Sequence, residues 1–209
     1  VEPPERLPTG GLTPRRSPGE SIRAVQMHDR YIVAEVSEGV LLLDQHALHE
    51  RLLFEQMRER FEAGRLEVQK LLVPETVHLS PTDAARIVAH RDDLAGLGLE
   101  IEGFGGGTVL LSGYPAALGR HAPRDVLRGV ARHLAELGGA PPRDVLLDGL
   151  MALVACHAAV RAGERLPPDL VRELAAQHGL AENSHHCPHG RPSSLLLTSA
   201  DLDRQFGRT

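Results

Sequence analysis

The sequence predicts a mixed α/β fold (α+β) in which a small α/β lobe, over about residues 75–140, is inserted between two parts that carry the chemically interesting residues. Two observations support this fold class. Apolar, β-branched runs at 31–36 and 40–43 flank Ser37-Glu38-Gly39, which is typical of a β-hairpin. After the hairpin the apolar positions change to a helical spacing, so strands and helices alternate along the chain.

The first elements follow from composition and spacing. Residues 1–20 are rich in Pro and Gly and have no apolar period, so we expect a flexible linker that joined this chain to a larger protein. Leucines and a methionine recur among charged residues over 47–61, which predicts a helix. Residues 68–79 are predicted to be extended.

The second half of the chain contains a clear helix start. Ser80-Pro81-Thr82-Asp83 offers an N-cap, a first helical proline and an early acid, and this helix is expected to end at Gly96 or Gly98. Strands are predicted at 99–101 and 108–111, around a glycine turn. The remaining predicted elements are helices at about 124–137, 143–162 and 168–178, a polar loop at 183–191, a strand at 195–198 and a helix from Ser199.

The composition limits the classes of function. The chain has 209 residues, 42% of them hydrophobic, which is enough to form a core. Its formal net charge of −5 argues against a broad basic surface for nucleic acid. No apolar run is long enough to cross a membrane, and no signal peptide is visible, so we expect a cytoplasmic setting in which Cys156 and Cys187 stay reduced.

The first candidate site is the segment from Asp44 to Glu50. His46 and Glu50 are four residues apart and, on a helix, lie about 40° apart on one face. Asp44, at the end of a predicted strand, could reach the same point, and the three side chains would form half of a divalent-metal site. The alternative is a solvated helix N-terminus whose acids complement the helix dipole.

The second candidate site is the loop around Cys187 and His189. A thiolate and an imidazole two residues apart, in a loop stiffened by Pro188, Gly190 and Pro192, can bind one ion. The alternative is a surface loop with incidental histidines. A third feature is Cys156, inside an apolar helix, where a lone cysteine is usually a small buried hydrophobe.

Taken together, the motifs resemble the C-terminal domain of the MutL family of DNA mismatch-repair proteins. DQHALHERLLFE, over 44–55, resembles the family's endonuclease motif at every fixed position. Ala155-Cys156-His157 resembles its ACR motif with His in place of Arg, and 187–192, CPHGRP, matches a third motif in full. Phe206-Gly207-Arg208 matches a fourth, and all four occur in the family's order.

The resemblance implies a two-lobed fold, with a dimerisation lobe built from 21–74 and 141–209 and a smaller regulatory lobe over 75–140. It also implies an enzyme that nicks one strand of duplex DNA, which this domain alone binds weakly, and a homodimer. A further implied partner is a mismatch-recognition protein. The missing N-terminal part of the full-length protein is expected to be an ATPase. No membrane partner is expected.

The resemblance also implies which residues form the metal cluster. These ligands are Asp44, His46, Glu50, Cys156, Cys187 and His189. Thiolates and imidazoles suit Zn²⁺, whereas carboxylates suit Mn²⁺ or Mg²⁺. Our hypothesis is that Zn²⁺ organises the site and that Asp44, His46 and Glu50 are catalytic. Arg191 and Arg208 are expected to hold phosphate or support the site, and the departure at His157 leaves open whether a cation there assists them.

A last segment, Gln69-Lys70-Leu71-Leu72-Val73-Pro74, is similar to the family's sliding-clamp-binding hexapeptide. Pro74 biases Val73 toward an extended backbone, which suits a peptide lying in a groove. Leu71 and Val73 should point one way and Leu72 the other. The alternative is an ordinary strand. For the chain as a whole, the alternative function is an inactive dimerisation module with a structural zinc site.

Overall fold

The structure, a computed structural model, describes residues 22–119, 123–138, 142–178, 187–188 and 190–208. These residues form a mixed α/β fold with two antiparallel sheets, which confirms the predicted fold class. The strands are β1 (Ala24–Met27), β2 (Tyr31–Val36), β3 (Gly39–Asp44), β4 (Val68–His78), β5 (Glu100–Gly105), β6 (Thr108–Pro115) and β7 (Ser194–Thr198). The helices are α1 (Gln45–Glu62), α2 (Pro81–Ala89), α3 (Arg91–Gly96), α4 (Pro123–Leu137), α5 (Arg143–Ala158), α6 (Pro168–His178) and α7 (Ser199–Gln205), with a 3-10 turn at Ala116–Leu118.

The described chain packs as two compact units. The central unit is Gln56–Ala158, and the terminal unit contains the described residues up to Glu55 and from Ala159 onward. The boundaries expected at about 75 and 140, and the roles assigned to the two lobes, stay predictions. The expected linker over 1–20 lies outside the described residues, as does His189.

The terminal unit is built on a four-stranded sheet in the order β1-β2-β3-β7. The predicted hairpin is confirmed, with Val36 paired to Gly39 at its closed end. Gly39 is required there, because a Cβ on it would lie 2.2 Å from the carbonyl oxygen of Leu197, at a φ of +152°. The strand β1 was missed from the sequence, since its four residues have a short and mixed pattern.

One face of this sheet carries the core of the terminal unit. Ile32 and Leu43, which pair across β2 and β3, are both completely buried. They belong to one cluster with Leu48 of α1 and Leu174 of α6. The helical spacing that predicted α1 therefore places an apolar stripe of that helix in this core.

The other face of the sheet, called the outer face below, carries an apolar row beside the exposed Arg23–Glu35 ion pair. The strand register aligns Val25, Val33, Leu42 and Leu195 in one row across all four strands. Val25 is 61% exposed and Leu195 57% exposed. An antiparallel sheet with one solvated face normally presents polar residues there, so an apolar row of this length is unusual for a surface that stays in water.

The central unit contains the three-stranded sheet β4-β6-β5 and helices that pack against it. The predicted cap is confirmed, since the Oγ atom of Ser80 accepts the Asp83 N–H at 3.1 Å. The single helix expected from there to Gly96 is instead two helices, because His90 (φ −103°, ψ 17°) leaves the helical conformation between them. Within the described residues, no helix combines the length and apolar character needed to cross a bilayer.

Candidate metal centre

Asp44 is the last residue of β3 and caps the helix that follows it. Its Oδ1 atom accepts the backbone N–H groups of His46 and Ala47, both at 3.0 Å, which are the second and third residues of α1. This is the geometry of a helix N-cap. Oδ1 therefore caps the helix, while Oδ2 takes no hydrogen bond from the described residues.

His46 and Glu50 are brought together on the first turns of α1. A ring nitrogen of His46 and a carboxylate oxygen of Glu50 lie within 4.8 Å of each other. The Nδ1 atom of His46 lies 2.8 Å from the carbonyl oxygen of Val160. Since a carbonyl can only accept, Nδ1 is the donor in this bond, which leaves Nε2 as the ring nitrogen for a metal.

His49 lies beside this pair and is not one of the predicted ligands. It is buried, and the N–H of Val160 donates to its Nδ1 atom at 3.1 Å. Burial, followed by the nearby His46 ring, lowers the pKa of His49 to about 4, so this ring is neutral at neutral pH. The signal that could have found it is the three-residue spacing from His46, which puts both rings on adjacent turns of α1.

The backbone of Val160 is thus bonded to α1 twice: its carbonyl oxygen to His46 and its N–H to His49. Cys156 lies only four residues earlier, in the last turn of α5, which ends at Ala158 rather than at the expected residue 162.

Two glutamines hold the residues that follow Val160. Gln45 is completely buried, and its Nε2 atom lies 2.9–3.0 Å from the carbonyl oxygens of Asp29, Arg161 and Glu164. The Nε2 atom of Gln26 donates to Gln45 Oε1 at 2.6 Å and to the Glu164 carbonyl at 2.8 Å. The residue between Asp44 and His46 is therefore structural, a role that the local sequence does not reveal.

Replacing Gln45 with alanine is expected to lower the free energy of unfolding by about 2–3 kcal/mol, because the change removes several buried hydrogen bonds and leaves a void. Urea unfolding followed by circular dichroism measures this effect. The control is Gln177→Ala, which removes one 3.2 Å bond to Glu173 within α6 and should cost less than about 0.5 kcal/mol. Equal losses in the two variants would show that the Gln45 network does not stabilise the unit.

Cys187 is buried, 1% exposed, at the start of a tight turn. Its N–H donates to the Arg191 carbonyl at 2.8 Å, and Gly190, at φ +80°, donates back to the Cys187 carbonyl at 2.8 Å. The chain then passes beside Asp44, whose N–H donates to the Ser193 carbonyl at 2.9 Å. Within the described part of the terminal unit, neither Asp44 nor Cys187 joins His46 and Glu50 at the 4.8 Å ligand spacing.

The two arginines expected to support the site flank the segment formed by β7 and α7. Arg191 is exposed and precedes β7. Arg208 follows α7, and its guanidinium lies 5.9 Å from the centre of the Phe206 ring. Their roles stay predictions.

The predicted clamp-binding segment is a bulge in β4. Lys70 pairs with Gly113 and Glu75 with Leu111, so residues 71–74 lie opposite a single residue of β6. As a result Leu72 is fully exposed and Val73 is 78% exposed. The expected alternation of these two side chains stays a prediction, since a bulge interrupts the regular pleat at this point.

A family model and several similar proteins all point to the same family. A family model described as the MutL C terminal dimerisation domain matches residues 24–166. Proteins named DNA mismatch repair protein MutL are similar over most of this chain: the one from Phenylobacterium zucineum is 43% identical over 88% of the chain and 29% of its own length. Those from Sinorhizobium fredii and Caulobacter vibrioides are each 40% identical over 100% and 99% of the chain, and 34% and 32% of their own lengths. The chain thus spans about a third of these relatives.

Proposed function

Because this chain belongs to the MutL family of DNA mismatch-repair proteins, we propose that it is the part that nicks one strand of duplex DNA with a divalent metal and joins two copies into a homodimer. The observation that carries the nuclease proposal is the His46–Glu50 pair. An imidazole whose Nδ1–H is held by a carbonyl, beside a buried carboxylate one turn away, is the arrangement of a metal half-site.

The residues fit two kinds of ion. Glu50, Cys156, Cys187 and His189 form a donor set that suits Zn²⁺, which would organise the site. Asp44, through its remaining oxygen, and His46 would hold Mn²⁺ or Mg²⁺. Bound there, such an ion supplies an activated water and charge for the leaving oxygen.

The chain's own residues prepare that chemistry. The Val160 carbonyl fixes the His46 ring, and Asp44 ties the end of β3 to the start of α1, so both ligands are preorganised before DNA binds. Arg191 and Arg208 would pair with phosphate or support the Cys187 turn. In the full-length protein, a mismatch-recognition protein and an N-terminal ATPase would control the nicking.

The direct test is conversion of supercoiled plasmid to nicked circle by the purified chain, with Mn²⁺ or Mg²⁺ and with EDTA, together with a measurement of bound zinc. Metal-dependent nicking supports the nuclease. The alternative, an inactive dimerisation module with structural zinc, is favoured by the use of Asp44 as a helix cap. It predicts bound zinc without nicking under any metal.

The homodimer is assigned to the outer face. Its row of Val25, Val33, Leu42 and Leu195 crosses every strand of the sheet and is apolar throughout. Covering this row with the same row of a second copy removes apolar surface from water on both sides and gives a two-fold interface. The family model, named for dimerisation, matches three of the four strands that form this sheet.

The β4 bulge is assigned to a replication sliding clamp. Leu72 and Val73 project from it as adjacent apolar side chains, and Pro74 holds the backbone extended. A chain with a net charge of −5 gains from a partner that already encircles DNA, because tethering raises its effective concentration there.

Replacing Gln69, Leu72 and Val73 together with alanine is expected to abolish clamp-stimulated nicking while basal nicking with Mn²⁺ persists, since none of the three is a proposed metal ligand. Plasmid nicking with and without clamp measures both quantities. The control is Phe104→Ala, which removes another exposed apolar side chain of the central unit, 68% exposed, and should keep the stimulation. Stimulation that survives the triple change in a folded chain would identify residues 69–74 as an ordinary strand.

A further inference from the structure

Two exposed arginines are anchored by their backbones to the residue between Asp44 and His46. The Arg30 carbonyl accepts the N–H of Gln45 at 3.0 Å, and the Arg161 carbonyl accepts its Nε2–H at 2.9 Å. Arg30 follows a tight β1–β2 turn in which His28 and Asp29 both have positive φ, 54° and 50°. These bonds bring the ends of two loops, far apart in sequence, to the start of α1.

A third arginine, Arg165, lies on the second of these loops between two fixed neighbours. The Glu164 carbonyl accepts from both Gln26 and Gln45, and the Leu166 N–H donates to Gln26 Oε1 at 3.0 Å. The two loops are also bonded directly, since Gly163 donates to the Asp29 carbonyl at 2.8 Å. We call Arg30, Arg161 and Arg165 the arginine rim.

The rim side chains differ in charge environment from several helical arginines of the central unit. None of the three forms an ion pair with a residue that the structure describes, and the Glu164 carboxylate in the same loop accepts the backbone N–H of Arg161. By contrast, three exposed arginines of the central unit each pair with an acid on their own helix: Arg58 with Glu62, Arg86 with Asp83 and Arg128 with Asp125. The rim thus carries three guanidinium groups without an ion pair to the described residues, in loops that also contain the carboxylates of Asp29 and Glu164.

We propose that the arginine rim binds the phosphate backbone of duplex DNA and presents it to the His46–Glu50 pair, an inference that rests on the proposed nuclease function. Guanidinium groups bind phosphate oxygens in a bidentate manner. The loop backbones are already ordered by Gln26 and Gln45, so that binding orders only side chains. Val160, next to Arg161, bonds the His46 ring, which places the rim beside the proposed metal ligands.

The test compares two triple variants of the chain, each losing three exposed arginines. The rim variant is Arg30→Ala, Arg161→Ala and Arg165→Ala, and the control is Arg58→Ala, Arg86→Ala and Arg128→Ala. Binding to a fluorescent duplex of random sequence is measured by anisotropy in EDTA, over a range of salt concentrations, so that cleavage plays no part. Circular dichroism confirms that both variants are folded.

We expect the rim variant to lose on the order of tenfold or more in DNA affinity, and its salt slope, log K against log [salt], to fall by about 0.9 for each phosphate contact removed. The control should keep the wild-type slope. Equal losses in the two variants, or a wild-type chain that does not bind duplex at low salt, would overturn the rim. A chain that binds through the rim but never nicks contradicts the proposed nuclease alone.

Discussion

The Asp44→Asn variant is expected to nick plasmid at least on the order of a hundredfold more slowly than the wild type with Mn²⁺, while its fold is retained. Asparagine is as good an N-cap as aspartate, so its side-chain oxygen can still accept the N–H groups of His46 and Ala47. What the substitution removes is the negative charge that a divalent ion requires. Nicking rates and urea unfolding of the same preparation separate the two effects.

The matched control for this variant is Asp83→Asn, which neutralises another aspartate at a helix N-terminus, in α2 of the central unit. It should nick at the wild-type rate. If Asp44→Asn also nicks at that rate, Asp44 is only a cap, and the catalytic assignment of this residue is wrong. If Asp44→Asn unfolds readily, the cap depends on charge and the loss of activity says nothing specific about metal, so that Asp44→Glu would then be required to keep charge and restore nicking.

A charged outer face is expected to separate the homodimer into monomers. In the double variant Val33→Glu, Leu42→Glu, two carboxylates lie side by side in the middle of the apolar row, where the wild-type side chains pair across β2 and β3. Burying each of these carboxylates in an interface costs several kcal/mol, and a two-fold dimer would bury four of them. Light scattering after size-exclusion chromatography at micromolar concentration should give twice the chain mass for the wild type and the chain mass for the variant.

The control introduces the same two charges in the β4 bulge, as Leu72→Glu, Val73→Glu, where both side chains are exposed. This variant should remain a dimer and lose clamp stimulation only. A wild-type chain that is monomeric at these concentrations, or a Val33/Leu42 variant that stays dimeric, would show that the outer face is not the interface.

The sequence predicted those elements well that depend on residues close together in the chain. The Ser80 cap, the β2–β3 hairpin and the helical spacing after Asp44 all depend on residues within a few positions of one another, and each was confirmed. The family resemblance named the ligand candidates. It did not indicate that the Oδ1 atom of Asp44 caps α1.

The features that were missed depend on contacts between distant residues. Gln45 and Arg161, like His49 and Val160, are joined by hydrogen bonds across more than a hundred residues of sequence, which periodicity cannot detect. The early end of α5 has the same cause. Val160 and Arg161, which were expected in its last turn, instead bond to side chains of α1.

The pairing of β3 with β7 has a consequence for how the chain acquires its structure during synthesis. Leu42 and Leu195 are neighbours in the sheet, yet the whole central unit lies between them in sequence. Contacts of such long sequence separation form slowly, after local ones. β7 also follows the central unit in the sequence, so during synthesis the central unit can fold before this sheet is complete. The row of Val25, Val33, Leu42 and Leu195 is therefore completed only after the whole central unit has been synthesised.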